Sequence, residues 1–250
     1  MNLVLFRPHE VTPDSPGVLL CAKDPRADHV LRVLRLRPGD TFRAGVVGGA
    51  IGPARLVACD DTRITLEFSP ERDPDRLAPI ELILGHPRPI VLQRLLRDLA
   101  SIGPARVVVV PTELGERSYT TATMWRRVDD LLIDGASQGA TTLLPAVTRA
   151  RSLSDALRDA RGDESARIVL HPCAAGTGPV TPLADALDER VRGPLSIAIG
   201  SERGWTAGEI DTLRANGFAP ASLGERILRT EVAATIAVWS AVAWYNRRDA

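Results

Sequence analysis

Up to about residue 70 the apolar positions come in short runs: "NLVLF", "GVLLC", "TFRAGVV", "ARLVAC" and "RITLEF". Each has the length of a strand, and several alternate apolar with polar residues, the period of a strand with one buried face. "RPGD" (37–40) and "CDDT" (59–62) supply the turns between them. The pattern predicts a small β-barrel or sandwich. Amid the strands, "ADHVLRVLRLRPGD" repeats His29, Arg32 and Arg35 at helical spacing, which predicts a short helix with a basic face.

The rhythm changes after "SPERDPDRLAP" (69–79), whose prolines and charges read as a linker. "IELILG" (80–85), "ARVVVVPT", "ARIVLHP" and "PLSIAIG" are continuous apolar runs, the mark of strands buried on both faces. In "PIVLQRLLRDLASIG", Val91, Leu92, Leu95, Leu96 and Leu99 form one helical face, and Gly103 ends it. "MWRRVDDLLIDGASQGA" predicts another helix. Alternation of strand and helix predicts an α/β domain with a largely parallel sheet over residues 73–250, behind a β-domain over 1–72.

Within the second part, "IAIGSERGWTAGEI" (197–210) puts two glycines and a charged pair at the tip of a buried strand. In open α/β sheets ligands sit outside the carboxyl ends of strands, and glycine lets main-chain N–H groups come close to them. Thr206 and Glu209 form a T-x-x-E capping box that starts a helix closing near Asn216-Gly217. A tight strand-to-helix connection without a ligand has the same signature, so this loop alone leaves both readings open. A second such loop lies in "SLGERILRTEVAATIAV" (222–238), where Leu223-Gly224 ends a short apolar segment and Thr230 is placed to cap the last helix.

Composition narrows the chemistry. Thirty-one basic and 31 acidic residues cancel, so there is no bulk basic footprint, although a local patch is compatible with a zero total. Lys23 is the only lysine; the planar fork of arginine suits phosphate, and a GC-rich genome has the same bias. The cysteines (21, 59, 173) and histidines (9, 29, 86, 171) lack the spacing of a disulfide framework or a metal site. Neither a G-x-G-x-x-G turn nor a P-loop is present, which disfavours a nicotinamide enzyme or a kinase. "VAATIAVWSAVAWY" is too short and interrupted to span a bilayer, and no basic-then-apolar leader pattern is seen. A reduced, cytoplasmic location is the default expectation.

"IAIGSERGWTAGEI" resembles the "IGPEGG…E" segment of the knotted (SPOUT-type) RNA methyltransferases. "LGERILRTEVA" resembles the "LG-x-RILR-x-ETA" segment of the subfamily that methylates N3 of a uridine in 16S ribosomal RNA. "HVLRVLRLRPGD" is similar to that subfamily's "H-x-x-VLR…GD" block, "VVVVPTELGERSY" falls where it has a strand and an "E-R-S" segment, and "DGASQGATTLLPAV" keeps Gln138 and Pro145 of its "EQ…R…P" block. The resemblance implies an N-terminal PUA-like barrel (1–72) and a C-terminal SPOUT α/β domain with a deep trefoil knot (73–250). It implies S-adenosylmethionine as cofactor, a homodimer, 16S rRNA of the small ribosomal subunit as partner, and no metal.

Carried over by position, the cofactor residues are Leu170, His171 and Pro172; Ile199, Gly200, Ser201 and Gly204; and Leu223, Gly224, Ile227 and Leu228. The last helix, with Trp239, Trp244 and Tyr245, belongs at the dimer interface. Removing the N3 proton of uridine leaves an anion to be stabilised. Arg229 is the candidate for the uracil oxygens, with Glu231 or Glu202 positioning it. His29, Arg32, Arg35, Arg88 and Arg94 are the candidates for RNA phosphate contacts.

The chain departs from the family at Ser201-Glu202-Arg203-Gly204, where Pro-Glu-Gly-Gly is usual, and arginine lacks the backbone freedom of glycine. That departure motivates one alternative, a non-catalytic RNA-binding or ribosome-assembly factor that retains the fold. Another is a knotted methyltransferase acting on a different rRNA or tRNA position. Cys173, near His171, raises a nucleophilic-thiol reading, against which an ordinary buried cysteine stands.

Overall fold

The structure is a computed structural model that describes residues 2–11, 17–159, 166–171, 180–187 and 193–249. In chain order, the strands of the first part are β1 (Val4–Phe6), β2 (Gly17–Cys21), β3 (Thr41–Val46), β4 (Ile51–Cys59) and β5 (Arg63–Phe68), with α1 (Pro25–Asp28) after β2. Then come β6 (Ala78–Gly85), α2 (Pro89–Ile102), β7 (Pro104–Val110), α3 (Val128–Gln138), β8 (Ala146–Arg149), α4 (Leu153–Asp159) and β9 (Ala166–Leu170). The last elements are β10 (Thr181–Pro182), α5 (Leu183–Ala186), β11 (Leu195–Ile199), α6 (Ala207–Ala215), β12 (Ala219–Ser222) and α7 (Thr230–Asp249). Two compact units result: Met1–Arg76 with Ile133–Leu144, and Leu77–Leu132 with Pro145–Ala250. Among the described residues no helix is long and apolar enough to cross a membrane.

The first unit holds one five-stranded sheet in the order β1-β3-β4-β5-β2, not the two sheets of a sandwich. Only β1 and β3 pair in parallel; the rest are antiparallel. Alternation sets the core: Ile64, Leu66 and Phe68 of β5 are buried with Val18 and Leu20 of β2 and Leu56 of β4. Burying each of the larger side chains contributes roughly 1.5–3 kcal/mol. The stretch read as a linker is partly paired, since Ile51 exchanges hydrogen bonds with Arg72 and β6 already begins at Ala78. Residues 133–144 join this unit by packing Ile133, Ala136 and Leu144 with Leu3, Leu5 and Ile51. The Ser137 carbonyl accepts from the Asn2 and Leu3 N–H groups at 3.2 and 3.1 Å.

The helix expected around His29 differs in kind. Asp24 caps α1 by accepting the Arg26 N–H at 2.8 Å, and the chain then widens into a π-helical turn over His29–Val33. Leu34 N–H closes on the His29 carbonyl at 2.9 Å. Arg35, at φ 56°, leaves the right-handed region and ends the turn, so the 3.6-residue spacing of His29, Arg32 and Arg35 is not kept. Within α1, Arg26 uses every guanidinium N–H. It bonds both Glu10 oxygens at 2.7 Å, Asp24 at 2.7 and 3.0 Å, and the Leu5 carbonyl at 2.9 Å.

The second unit is a seven-stranded, all-parallel sheet in the order β10-β12-β9-β11-β6-β7-β8. Every residue of β11 is buried, as expected where both faces are covered. On α2, Leu92, Leu95, Leu96 and Leu99 face the core, Pro89 occupies the first turn, and Gly103, at φ 90°, closes the helix on the Leu99 carbonyl. β11 follows β9 in the chain yet lies between β9 and β6. That insertion brings the carboxyl ends of β12, β9, β11 and β6 side by side.

Candidate active site

A cleft opens at those carboxyl ends, where a parallel sheet offers its loops to a ligand. Leu170 and His171 line it from the end of β9, and Ile199, Gly200, Ser201, Glu202 and Gly204 from β11. Leu223, Gly224, Ile227 and Leu228 line it from the segment after β12. Pro172, and Cys173 beside it, lie outside the described residues. Arg229 and Glu231 do not line the cleft, but alternate in sequence with residues that do, Leu228 and Thr230.

Trp205, Arg226, Thr230 and Ala233 line it as well. Thr230 and Ala233 are three apart on a helix and so share a face, a signal present in the sequence once α7 is placed. Thr230 is the first residue of α7 and buried, not its cap; Arg229 precedes the helix and its carbonyl accepts the Ala233 N–H at 2.9 Å.

The loop after β11 is a tight turn: Gly204 N–H donates to the Ser201 carbonyl at 2.8 Å. Gly204, at φ 74°, is the residue in the left-handed region, and Arg203 is not. Arginine at 203 therefore costs no backbone strain; its guanidinium points out to the Leu114 carbonyl at 3.4 Å. Gly85 at the tip of β6 lets the turn sit close, since a Cβ there would come within 2.5 Å of the Ser201 nitrogen and 2.9 Å of the Gly200 carbonyl carbon. Thr112 Oγ1 donates to Ser201 Oγ at 3.3 Å from the other side.

Glu202 has a partner of its own. Its carboxylate accepts the Arg88 backbone N–H at 2.8 Å, at the N-terminus of α2, where negative charge is favoured. The capping box forms as expected: Thr206 N–H donates to Glu209 at 2.8 Å and Glu209 N–H to Thr206 Oγ1 at 3.2 Å. The other Glu209 oxygen accepts the Glu113 N–H at 2.9 Å, tying the loop after β7 to the start of α6. The cleft thus has a fixed rim on three elements.

Its walls are mainly apolar, with polar side chains from His171, Ser201, Glu202, Arg226 and Thr230 among them, and Ile227 is 74% exposed. Trp205 is buried, and its Nε1–H has no hydrogen-bond partner among the described residues. A buried donor left unpaired costs about 1–3 kcal/mol, so a ligand acceptor here has a ready partner. The candidate RNA residues are divided between the units. Arg88 and Arg94 are exposed on and beside α2, whereas His29, Arg32 and Arg35 belong to the first unit, with Arg32 ion-paired to Asp28 at 3.0 Å.

A family model of the RNA methyltransferase domain matches residues 74–242. The ribosomal RNA small subunit methyltransferase E of Treponema pallidum is 35% identical over 99% of this chain and 94% of its own length. Its counterpart named methyltransferase E 1 in Borreliella burgdorferi is 28% identical over 93% of this chain and 94% of its own. The fold is shared with the crystal structure of the Neisseria gonorrhoeae ribosomal RNA small subunit methyltransferase E bound to S-adenosyl methionine, at a TM-score of 0.76 and 23% identity, covering 94% and 95% of the two chains. With a domain match over most of its length and a relative of this identity along nearly all of it, the chain belongs to the RNA methyltransferase family that includes the ribosomal RNA small subunit methyltransferases E.

Proposed function

We propose that the protein is an S-adenosylmethionine-dependent methyltransferase of 16S ribosomal RNA that acts on N3 of a uridine. The observation that carries this reading is the three-loop cleft, in which two glycine turns and the start of α7 converge at the carboxyl ends of adjacent parallel strands. The residues present fit the cofactor: Leu170, Ile199, Leu223 and Leu228 offer apolar walls to an adenine, and Trp205 Nε1–H is a donor for one of its polar atoms. When bound, S-adenosylmethionine supplies a methyl group on a sulfonium, open to in-line displacement.

The chain's own task is positioning and charge stabilisation. Arg229 is exposed beside the cleft and is suited to hold a uracil oxygen as N3 loses its proton. Glu231, on the first turn of α7, helps to orient Arg229. Glu202, already bound to Arg88 N–H, holds the cofactor loop to α2. Methyl transfer to small-subunit RNA by the purified protein tests the reading, and its absence with folded protein sinks it. In the same assay Arg229→Ala is expected to lower kcat about 100-fold, the loss of one charge-stabilising donor. Cofactor affinity should stay within twofold; full turnover in this variant would remove Arg229 from the mechanism.

Three structural readings accompany this one. The late insertion of β11 between β9 and β6, with α7 packed on α2, β6 and β11, supports a trefoil knot. The five-stranded sheet of the first unit supports a PUA-like barrel. Val232, Ile236 and Trp239 make an exposed apolar stripe on α7 at helical spacing, which supports a homodimer formed through that helix. Trp244, by contrast, is buried within its own chain, so it is not free for a partner. Trp239→Glu is expected to yield monomers in sedimentation velocity; an unchanged dimer would place the interface elsewhere.

A further inference from the structure

A second cleft lies at the carboxyl ends of β6, β7 and β8, further along the same sheet edge, with His86, Pro111, Thr120, Arg149 and Arg151 among its walls. Among the described residues no carboxylate lines it. The Arg149 guanidinium lies 4.7 Å over the Trp125 ring and donates through Nη1 to the Thr120 carbonyl at 2.8 Å. These contacts fix its plane and leave its remaining N–H groups for a ligand. Arg151 is exposed, with no side-chain partner among the described residues.

His86 adds a different demand. It is 4% exposed, and its ring meets Trp125 edge-on at 5.5 Å between centroids. Nδ1 is 2.7 Å from the Pro87 carbonyl, which only accepts, so Nδ1 carries the proton. Burial pushes the pKa of the ring down, outweighing the Pro87 carbonyl, Glu202 and the Tyr119 backbone, which pull it up; Arg149 also lowers it. The ring is therefore neutral at pH 7, and Nε2, the nitrogen without the proton, is a buried acceptor with no hydrogen-bond partner among the described residues. A ligand that suits the cleft brings an anion for the arginines and an O–H or N–H donor for Nε2. His86 directly follows Gly85, which packs against the Gly200-Ser201 backbone, so the cleft adjoins the cofactor loop.

We propose that this cleft binds one ribonucleotide of the RNA substrate, its phosphodiester on Arg149 and Arg151 and its ribose 2′-hydroxyl donating to His86 Nε2. The inference rests on the RNA-substrate reading above and adds a site that tells RNA from DNA, which lacks that hydroxyl. The test is fluorescence anisotropy of the full chain with a labelled single-stranded, uridine-containing ribo-oligonucleotide and its deoxy counterpart, titrated at several salt concentrations. Arg149→Gln and Arg151→Gln are each expected to weaken ribo-oligonucleotide binding about five- to tenfold and to reduce the salt slope by about one. His86→Phe keeps the edge-on packing and removes the acceptor, so the ribo-to-deoxy affinity ratio is expected to fall toward one. Unchanged S-adenosylmethionine affinity in all three variants shows that the fold is intact.

Wild-type RNA affinity and salt slope in both arginine variants overturn the site, as does a wild-type protein that binds the two oligonucleotides equally. Failure of the wild type to bind either overturns it too. Methyl transfer to small-subunit RNA, measured on the same preparation, then decides separately whether the substrate reading falls with it.

Discussion

Gly200→Ala is expected to lower S-adenosylmethionine affinity about 100-fold, or ~2.8 kcal/mol. A Cβ at this position would lie 2.6 Å from the Gly204 carbonyl carbon, 2.8 Å from its Cα and 2.9 Å from the Trp205 nitrogen. All three are backbone atoms, so no side chain can swing away to make room. The turn from Ser201 to Gly204 must open, and both of its arms line the cleft. The cost falls at the upper end of the range for overpacking, about 1–3 kcal/mol. Gly204→Ala is a useful contrast. Nothing lies within 4 Å of its would-be Cβ, but its φ of 74° is a left-handed conformation, so the expected penalty is backbone strain alone, about 1–2 kcal/mol. Calorimetric titration of the two variants measures the difference. Gly200→Ala binding within threefold of wild type would mean that the turn yields more readily than its packing implies.

Arg26→Met is expected to destabilise the protein by about 1–3 kcal/mol, between the values for an exposed and a fully buried ion pair. Two carboxylates, Glu10 and Asp24, would be left partly buried and facing each other without their shared cation. Lysine should not rescue, because one ammonium cannot serve two forks and the Leu5 carbonyl together. Acid should mimic part of the effect. The bond to Arg26 is the chief cause that holds the Glu10 carboxyl below its ordinary value of 4.5. For Asp24 burial pushes the other way, but the Arg26 side chain and backbone outweigh it and hold the group below 3.8. Both groups thus bind their protons less tightly folded than unfolded. The stability they contribute is complete above those ordinary values and is lost as pH falls below them. Urea unfolding at pH 7 and pH 4 should show a smaller fall in Arg26→Met than in the wild type. Equal falls would mean that other carboxylates control the acid response.

Local features were legible because they depend on near neighbours. The alternation of Ile64, Leu66 and Phe68, the face of α2 and the Thr206–Glu209 capping box all follow from spacing alone. The cleft was legible for a different reason: glycine at strand ends marks loops that approach something closely, and motif resemblance named which loops. What escaped was decided by distant partners. Nothing in the run "LSIAI" says that it will slot between β6 and β9. Residues 133–140 read as part of a helix, whereas the packing of 133–144 against Leu3, Leu5 and Ile51 is a tertiary choice. Arg203 looked like a threat to the turn because the family has glycine there, yet the left-handed position is one residue on, at Gly204. The cleft around His86 draws on the ends of three strands, and no sequence window contains them together.

The place of β11 also bears on how the chain is made. The middle strand of the seven is among the last to leave the ribosome, since both of its neighbours, β6 and β9, precede it in the chain. A nascent polypeptide that stops short of Leu195 holds β6 with β7 and β8 on one side and β9 on the other, each with an open edge where β11 belongs. Open apolar edges invite pairing with other chains, and long-range parallel pairing is slow to form. For the stretch of synthesis between β9 and β11, other chains compete with the protein's own strand for that central slot.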